Sequence, residues 1–197
     1  MKLLLASRSA TRRQMLEAAG VPFETRDAAV DEEGVKRGLR DAGADAVRLA
    51  VRLAEAKALS VPDTGAALVL GADQTLSLDD GTMFDKPSSR AAAEAQLRAL
   101  SGRRHQLHSA AALSEGGQIV WSEVESVDLH VRPLSEAFIA RYLDAEYEAV
   151  RHGVGGYRVE GAGVQLFERI HGSHFAILGL PLLPLLGYLR ARRVLPD

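Results

Sequence analysis

Leu68-Val69-Leu70-Gly71-Ala72-Asp73-Gln74-Thr75 is the stretch from which the rest of the chain can be read. The apolar run from Ala66 to Leu70 predicts a short strand buried on both faces. The run ends at Gly71, so Asp73 is expected just past the strand, at the mouth of a sheet, where ligands gather in α/β folds. A lone Asp in that place more often simply caps a turn. Five other polar residues decide between the two readings if they converge on it: Ser7, Arg12, Lys57, Lys86 and Glu160.

Upstream, Lys2 to Ala6 predicts an apolar strand, followed by Ser7-Arg8-Ser9-Ala10-Thr11-Arg12-Arg13 and a helix to about Ala19. Met15, Leu16 and Ala19 form the apolar face of that helix, and Gly20 and Pro22 end it. Strand, polar loop and helix start together offer N–H groups, hydroxyls and guanidinium groups to an anion. Arg12 and Arg13 are unfavourable choices beside the positive end of a helix dipole, which points to phosphate; an N-cap followed by solvated arginines is the plainer alternative. Phe23 to Ala29 predicts a second strand. Asp31-Glu32-Glu33 then reads as a solvated acidic turn, or as help for a metal, and residues 34–46 show no clear pattern. Asp45 caps a predicted helix over 46–59 with an apolar stripe of Val47, Ala50, Val51, Ala54 and Ala58, and Lys57 lies near its end.

Downstream, a strand to Leu78 turns back at Asp79-Asp80-Gly81, and Lys86-Pro87 holds a lysine in a constrained loop before a helix to Leu100. Strands are predicted over 106–114, 118–124, 127–131, 164–170 and 175–180, with helices from Ser135 to about Tyr142 and from Pro181 to Arg192. His152 to Gly163 holds five glycines in twelve residues, a loop that can approach a ligand closely. Arg158 stands where G-x-G-x-x-G requires its third glycine, and Walker A is absent too.

Composition sets outer bounds. The 197 residues are 47% hydrophobic and 25% charged, enough for one domain or two small lobes with a full core. A net charge of -2 gives no general affinity for nucleic acid or anionic membrane. The absence of Cys excludes disulfides, a thiol nucleophile and Cys zinc sites, and suits a cytoplasmic protein. No apolar run approaches the roughly 18 residues of a membrane span. The six His show no zinc spacing, and there is no G-x-S-x-G.

Several segments, in order and over nearly the whole chain, resemble the Maf family of nucleotide pyrophosphatases. They are Leu5-Ala6-Ser7 with Ser9 and Arg12, Gly71-Ala72-Asp73-Gln74, Lys86-Pro87, Leu100-Ser101-Gly102 with His105, Gly155-Gly156-Tyr157 with Glu160-Gly161, and Gly172-Ser173 leading to Leu178-Gly179-Leu180-Pro181-Leu182. Thr11 departs from the family's Ser-Pro-Arg-Arg, and Arg13 is extra. The resemblance implies a single domain over residues 1–197 with an α/β fold, a mixed sheet with flanking helices of the inosine-triphosphatase type, in two lobes around a cleft. It implies a cytoplasmic homodimer that cleaves a nucleoside triphosphate to the monophosphate and pyrophosphate with a divalent metal, Mg or Mn.

By the same resemblance Asp73 is the proton acceptor. Ser7, Arg12, Arg13, Lys57 and Lys86 bind the phosphates, and Asp31 or Glu32 holds the metal. Thr11, Gln74 and Glu160 bear on the base. Gln74 and Glu160 match the branch acting on 7-methyl-GTP rather than the dTTP and UTP branch. Chemically, Glu160 can accept from guanine N1–H and N2–H, Gln74 can donate to the guanine carbonyl, and Tyr157 or another ring can stack on the base. A nucleotide-binding regulator of septum formation and a non-nucleotide phosphatase are the rival functions.

Overall fold

The computed structural model describes residues 2–62 and 67–196. Among these, the strands are β1 (Lys2–Ala6), β2 (Glu24–Arg26), β3 (Ala67–Leu78), β4 (Met83–Phe84), β5 (Arg104–Glu115), β6 (Gln118–Val131) and β7 (Phe167–His171). The helices are α1 (Ala10–Ala18), α2 (Glu32–Asp41), α3 (Ala46–Leu59), α4 (Arg90–Leu100), α5 (Glu136–Val150), α6 (His174–Ile177) and α7 (Leu182–Ala191). The sheet is mixed, in the order β2-β1-β3-β5-β6-β7 with β4 on β3. This is the expected α/β class. No helix among the described residues is long and apolar enough to cross a membrane.

The chain divides into two compact units, Met1–Gln74 with His108–Glu125 and Ser173–Asp197, and Thr75–Leu107 with Ser126–Gly172. In the first unit β1 runs parallel to both β2 and β3, with Leu4 opposite Glu24 and Leu3 opposite Leu68. Alternation divides its side chains between two faces. Leu3, Leu5, Leu68, Leu70 and Ala72 pack with Leu16 and with Leu185 and Leu189 of α7, while Leu4, Ala6, Ala67 and Val69 form a separate cluster. The second unit holds antiparallel pairs, β3 with β4 (Leu76 opposite Phe84) and β6 with β7 (Leu129 opposite Ile170).

Four sequence expectations fail for identifiable reasons. β3 does not end at Gly71: it runs unbroken to Leu78, so Asp73 is a residue within a strand rather than one beyond it. The stretch read as patternless is α2, a helix with no buried residue, held by Asp31 as N-cap and by the Lys36–Glu33 pair at 3.1 Å. Such a helix carries no apolar stripe to be read. Residues 118–124 and 127–131 are one strand, and the helix after Ser135 continues to Val150. Residues 175–180 form α6 and a turn at Gly179 (φ +98°) instead of a strand, and 164–166 belong to a 3-10 turn. Short apolar runs do not distinguish helix from strand by period. Smaller differences are the exposure of Ala19, the burial of Leu49 and Leu53 in place of Val47 and Val51, and the contraction of β2 to three residues. Ala66 lies outside the described residues.

Gly71 sets the distance between β3 and α3. A Cβ there would stand 2.1 Å from the Ala54 carbonyl oxygen and 2.4 Å from the Ala58 nitrogen. Helix α3 therefore lies directly on the β3 backbone, and its contact face is Ala50, Ala54 and Ala58 against Ala110 and Ala112 of β5. Gly71→Ala must push the helix back, since both obstructing atoms are backbone. The expected loss is about 3 kcal/mol, at the upper end for overpacking, read as a fall in the urea midpoint at unchanged m value.

Candidate active site

The close seat of α3 brings Lys57 to Asp73. Positions 67, 69, 71 and 73 share one face of β3, so Asp73 points to the side on which α3 lies. Lys57 Nζ donates to Asp73 Oδ1 at 2.6 Å and also pairs with Glu32 Oε1 at 3.1 Å. Lys57 and Asp73 are each only 8% exposed. A lysine near the C-terminus of a helix is ordinary surface chemistry; one buried between two carboxylates is a constructed feature.

Arg12 stands next to this group. Its Nε donates to the Gly179 carbonyl at 2.8 Å, and Nη1 donates to the Ala72 carbonyl at 3.0 Å and to Ser7 Oγ at 3.5 Å. Burial pulls the guanidinium below its ordinary pKa, and the charges of Asp73 and Glu32 oppose that shift. Arg12 is thus not the exposed helix-start residue that its sequence position indicates. Ser9 is the N-cap of α1, accepting from the Arg12 nitrogen.

The first unit therefore gathers Ser7, Arg12, Lys57, Asp73 and Glu32 through direct hydrogen bonds, ion pairs and short-range charge. Of the two acids left open as metal ligands, Asp31 is exposed and spends its carboxylate on the Gly34 nitrogen. Glu32 is the one that shares a cation with Asp73. Arg13 is not drawn in: it is exposed and lines an open groove of about 630 Å³ with Glu17, Phe23, Glu24 and Arg26. Thr11 is half-buried in the first turn of α1.

Gln74, next along β3, points to the opposite face. Its Nε2 donates to Ser109 Oγ at 2.9 Å and to the Ala176 and Ile177 carbonyls, each at 3.0 Å. Ser109 Oγ donates in turn to the Ala176 carbonyl at 2.6 Å. Sequence reading missed Ser109 and the α6 carbonyls. The one available signal was a serine in the small-residue run Ser109-Ala110-Ala111-Ala112, and nothing local gave it a partner.

In the second unit Lys86 and Glu160 are both exposed, Lys86 in the loop after β4 and Glu160 in the glycine-rich loop. That loop is closely built. Gly155 has φ +82°, and a Cβ on it would lie 2.6 Å from the Tyr157 ring. Tyr157 is not a free stacking surface. It is buried, its ring lies edge-on to Phe167 at 4.9 Å, and its hydroxyl meets His105 Nε2 at 2.7 Å. Burial, with His130 adding to it, pushes His105 down to about 4, so His105 is a neutral imidazole. The same burial pushes the Tyr157 hydroxyl well above its ordinary value.

The family model described as Maf-like protein matches residues 2–192. The chain belongs to the Maf-like family. A nucleoside triphosphate pyrophosphatase from Rhodopseudomonas palustris is 53% identical over 196 residues, covering 98% of this chain and 95% of that one. A 7-methyl-GTP pyrophosphatase from Rhizobium etli is 49% identical over 193 residues, covering 96% and 95%. Among solved structures, a HAM1 protein from Coxiella burnetii aligns with a TM-score of 0.43 at 16% identity, over 66% of this chain and 73% of that one.

Arg12 and Lys86 differ in exposure, Arg12 being half-buried and Lys86 exposed. Arg12→Ala strips a partner from two backbone carbonyls. It is expected to cost about 2 kcal/mol of stability as well as activity, whereas Lys86→Ala, at an exposed loop position, is expected to cost less stability and to lower kcat/KM. Equilibrium unfolding beside steady-state kinetics on both variants checks the contrast.

Proposed function

We propose that this Maf-family chain, a nucleoside triphosphate pyrophosphatase, takes 7-methyl-GTP in preference to other nucleotides and uses Asp73 as its general base. The observation that carries the reading is the buried Lys57–Asp73 pair, joined by the half-buried Glu32 and set beside the Arg12 guanidinium. Hydrolysis to the monophosphate and pyrophosphate needs a water to attack the α-phosphorus in line. A carboxylate must take its proton, and cations must receive the charge that develops on the leaving pyrophosphate. Asp73 is the carboxylate. Lys57 fixes its orientation, and Arg12, Lys57 and Ser7 supply positive charge and hydrogen bonds to the triphosphate. The family resemblance assigns Lys86 as a further phosphate-binding cation and Thr11 as a position bearing on specificity.

The donor set also fits a divalent ion. Glu32 and Asp73 are hard oxygen donors that already share one cation, and Mg or Mn is commonly held by one or two carboxylates together with substrate phosphates. Among the described residues no three acidic or His side chains cluster, so the substrate's own oxygens would have to complete the shell. When bound, the ion would lower the pKa of the attacking water and neutralise phosphate charge.

For the base, Glu160 supports 7-methyl-GTP, and Gln74 matches the family branch that acts on it. Glu160, exposed and anionic, suits the positive charge that N7 methylation adds to guanine, and the relative from Rhizobium etli carries that activity in its name. UTP and dTTP are the second choice.

Asp73→Asn keeps the shape of the side chain and removes the base. Turnover, followed as pyrophosphate release, is expected to fall at least about 100-fold, and the melting temperature to fall as well because Lys57 loses its buried charged partner. Half-normal activity in a folded variant would assign the proton to another group. A nucleotide panel of 7-methyl-GTP, GTP, UTP and dTTP tests the base, with magnesium and with manganese. The wild type should favour 7-methyl-GTP, and Glu160→Gln should reduce that preference about 10-fold. A wild type that prefers UTP or dTTP reverses the ranking, and one that binds nucleotides without product would be a nucleotide-binding regulator.

A further inference from the structure

Of the twelve residues of β3, Gln74 alone is partly exposed; the other eleven are buried. Its amide is held in one orientation. Nε2 faces three oxygens, Ser109 Oγ and the carbonyls of Ala176 and Ile177. The two carbonyls can only accept. Ser109 has committed its proton to the Ala176 carbonyl, so its Oγ also presents a lone pair to Gln74. Turning the amide over would set Oε1 against these acceptors and leave both N–H donors without them, which forfeits every one of these bonds and adds repulsion. Among the described residues every hydrogen bond of the Gln74 side chain runs through Nε2 and none through Oε1.

We infer that Gln74 is an obligate hydrogen-bond acceptor for the substrate base, held so by Ser109 as a positioning residue, and that it selects bases with a ring N–H. The inference rests on the proposed role of Gln74 in reading the base. It corrects the expectation that Gln74 donates to the guanine carbonyl, because both N–H groups are already used within the protein. Guanine and 7-methylguanine present N1–H, and uracil and thymine present N3–H. Adenine N1 and cytosine N3 carry a lone pair at the corresponding ring position, which Oε1 repels. The chemical class is therefore the lactam bases, recognised at their N–H and not at their carbonyl oxygen.

Base analogues separate the two polarities on the wild-type protein. Pyrophosphate release is measured for GTP, 1-methyl-GTP and 6-thio-GTP, and for UTP, 3-methyl-UTP and 4-thio-UTP, with ATP and CTP alongside. Ring N-methylation removes the donor and is expected to lower kcat/KM about 10-fold or more. Replacing the carbonyl oxygen by sulfur weakens an acceptor that Gln74 does not use and should change kcat/KM by less than about 3-fold, while ATP and CTP should be poor substrates. Gln74→Met removes the acceptor, so the methylation penalty should vanish in that variant. Ser109→Ala should shrink the penalty, mainly through KM; a lower melting temperature with the penalty intact would make Ser109 merely structural and overturn its positioning role. Should Gln74→Met not fold, the wild-type analogue series decides alone. A loss on thio substitution without a loss on methylation overturns the inference, as does efficient cleavage of ATP or CTP, and the pyrophosphatase reading survives either result. No pyrophosphate from any nucleotide removes both.

Discussion

Lys57 between Asp73 and Glu32 is the interaction on which the rest of the first unit depends. Lys57 and Asp73 are brought together where little water reaches them, and each would be costly to bury alone; Glu32, half-buried, adds a second carboxylate. The arrangement is tolerable because the charges compensate and because α3 sits close enough to bring Lys57 to Asp73. That close seat traces to the absence of a side chain at Gly71, which lets α3 rest on β3, and to alanines on both sides of the contact. A larger residue at any of these positions would carry Lys57 away from the carboxylate it orients.

Arg12 links two roles that are usually separate. It bonds the carbonyl preceding Asp73 and the carbonyl of Gly179, and its charge acts on the acidic pair. An arginine used in this way contributes to the position of the Ala72–Asp73 peptide as well as to its electrostatics, so loss of activity in an Arg12 variant does not by itself show phosphate contact. The close approach of Gly179, whose added Cβ would lie 3.3 Å from Arg12 Nη2, keeps the guanidinium in place.

β3 carries two kinds of chemistry on its two faces. Asp73 turns to α3 and its cation; Gln74 turns to α6 and its carbonyls. Adjacent strand residues necessarily diverge in this way, since side chains alternate with a period of two. The strand thus holds an acid and a side-chain amide one residue apart, each held by a different helix.

The sequence by itself determined the elements whose signal is local: β1, the capped helices α1, α3 and α4, the turn at Gly81, and the class of fold. Through the ordered motifs it also determined the family, and it named Ser7, Arg12, Lys57, Asp73 and Glu32 as candidates. Tertiary structure decided what those candidates touch. It extended β3 through Gly71 and Asp73, residues that as local signals end strands, because α3 packs against the glycine and Lys57 holds the acid. It chose Glu32 over Asp31, because the first faces Lys57 and the second caps a helix that leaves no apolar mark in the sequence. It withdrew Tyr157 from stacking by burying it against His105 and Phe167. It also reversed the polarity expected of Gln74, through carbonyls on α6 roughly a hundred residues away. Caps, turns and period are written in neighbouring residues, whereas a hydrogen-bond direction depends on which distant backbone atom folding brings within reach.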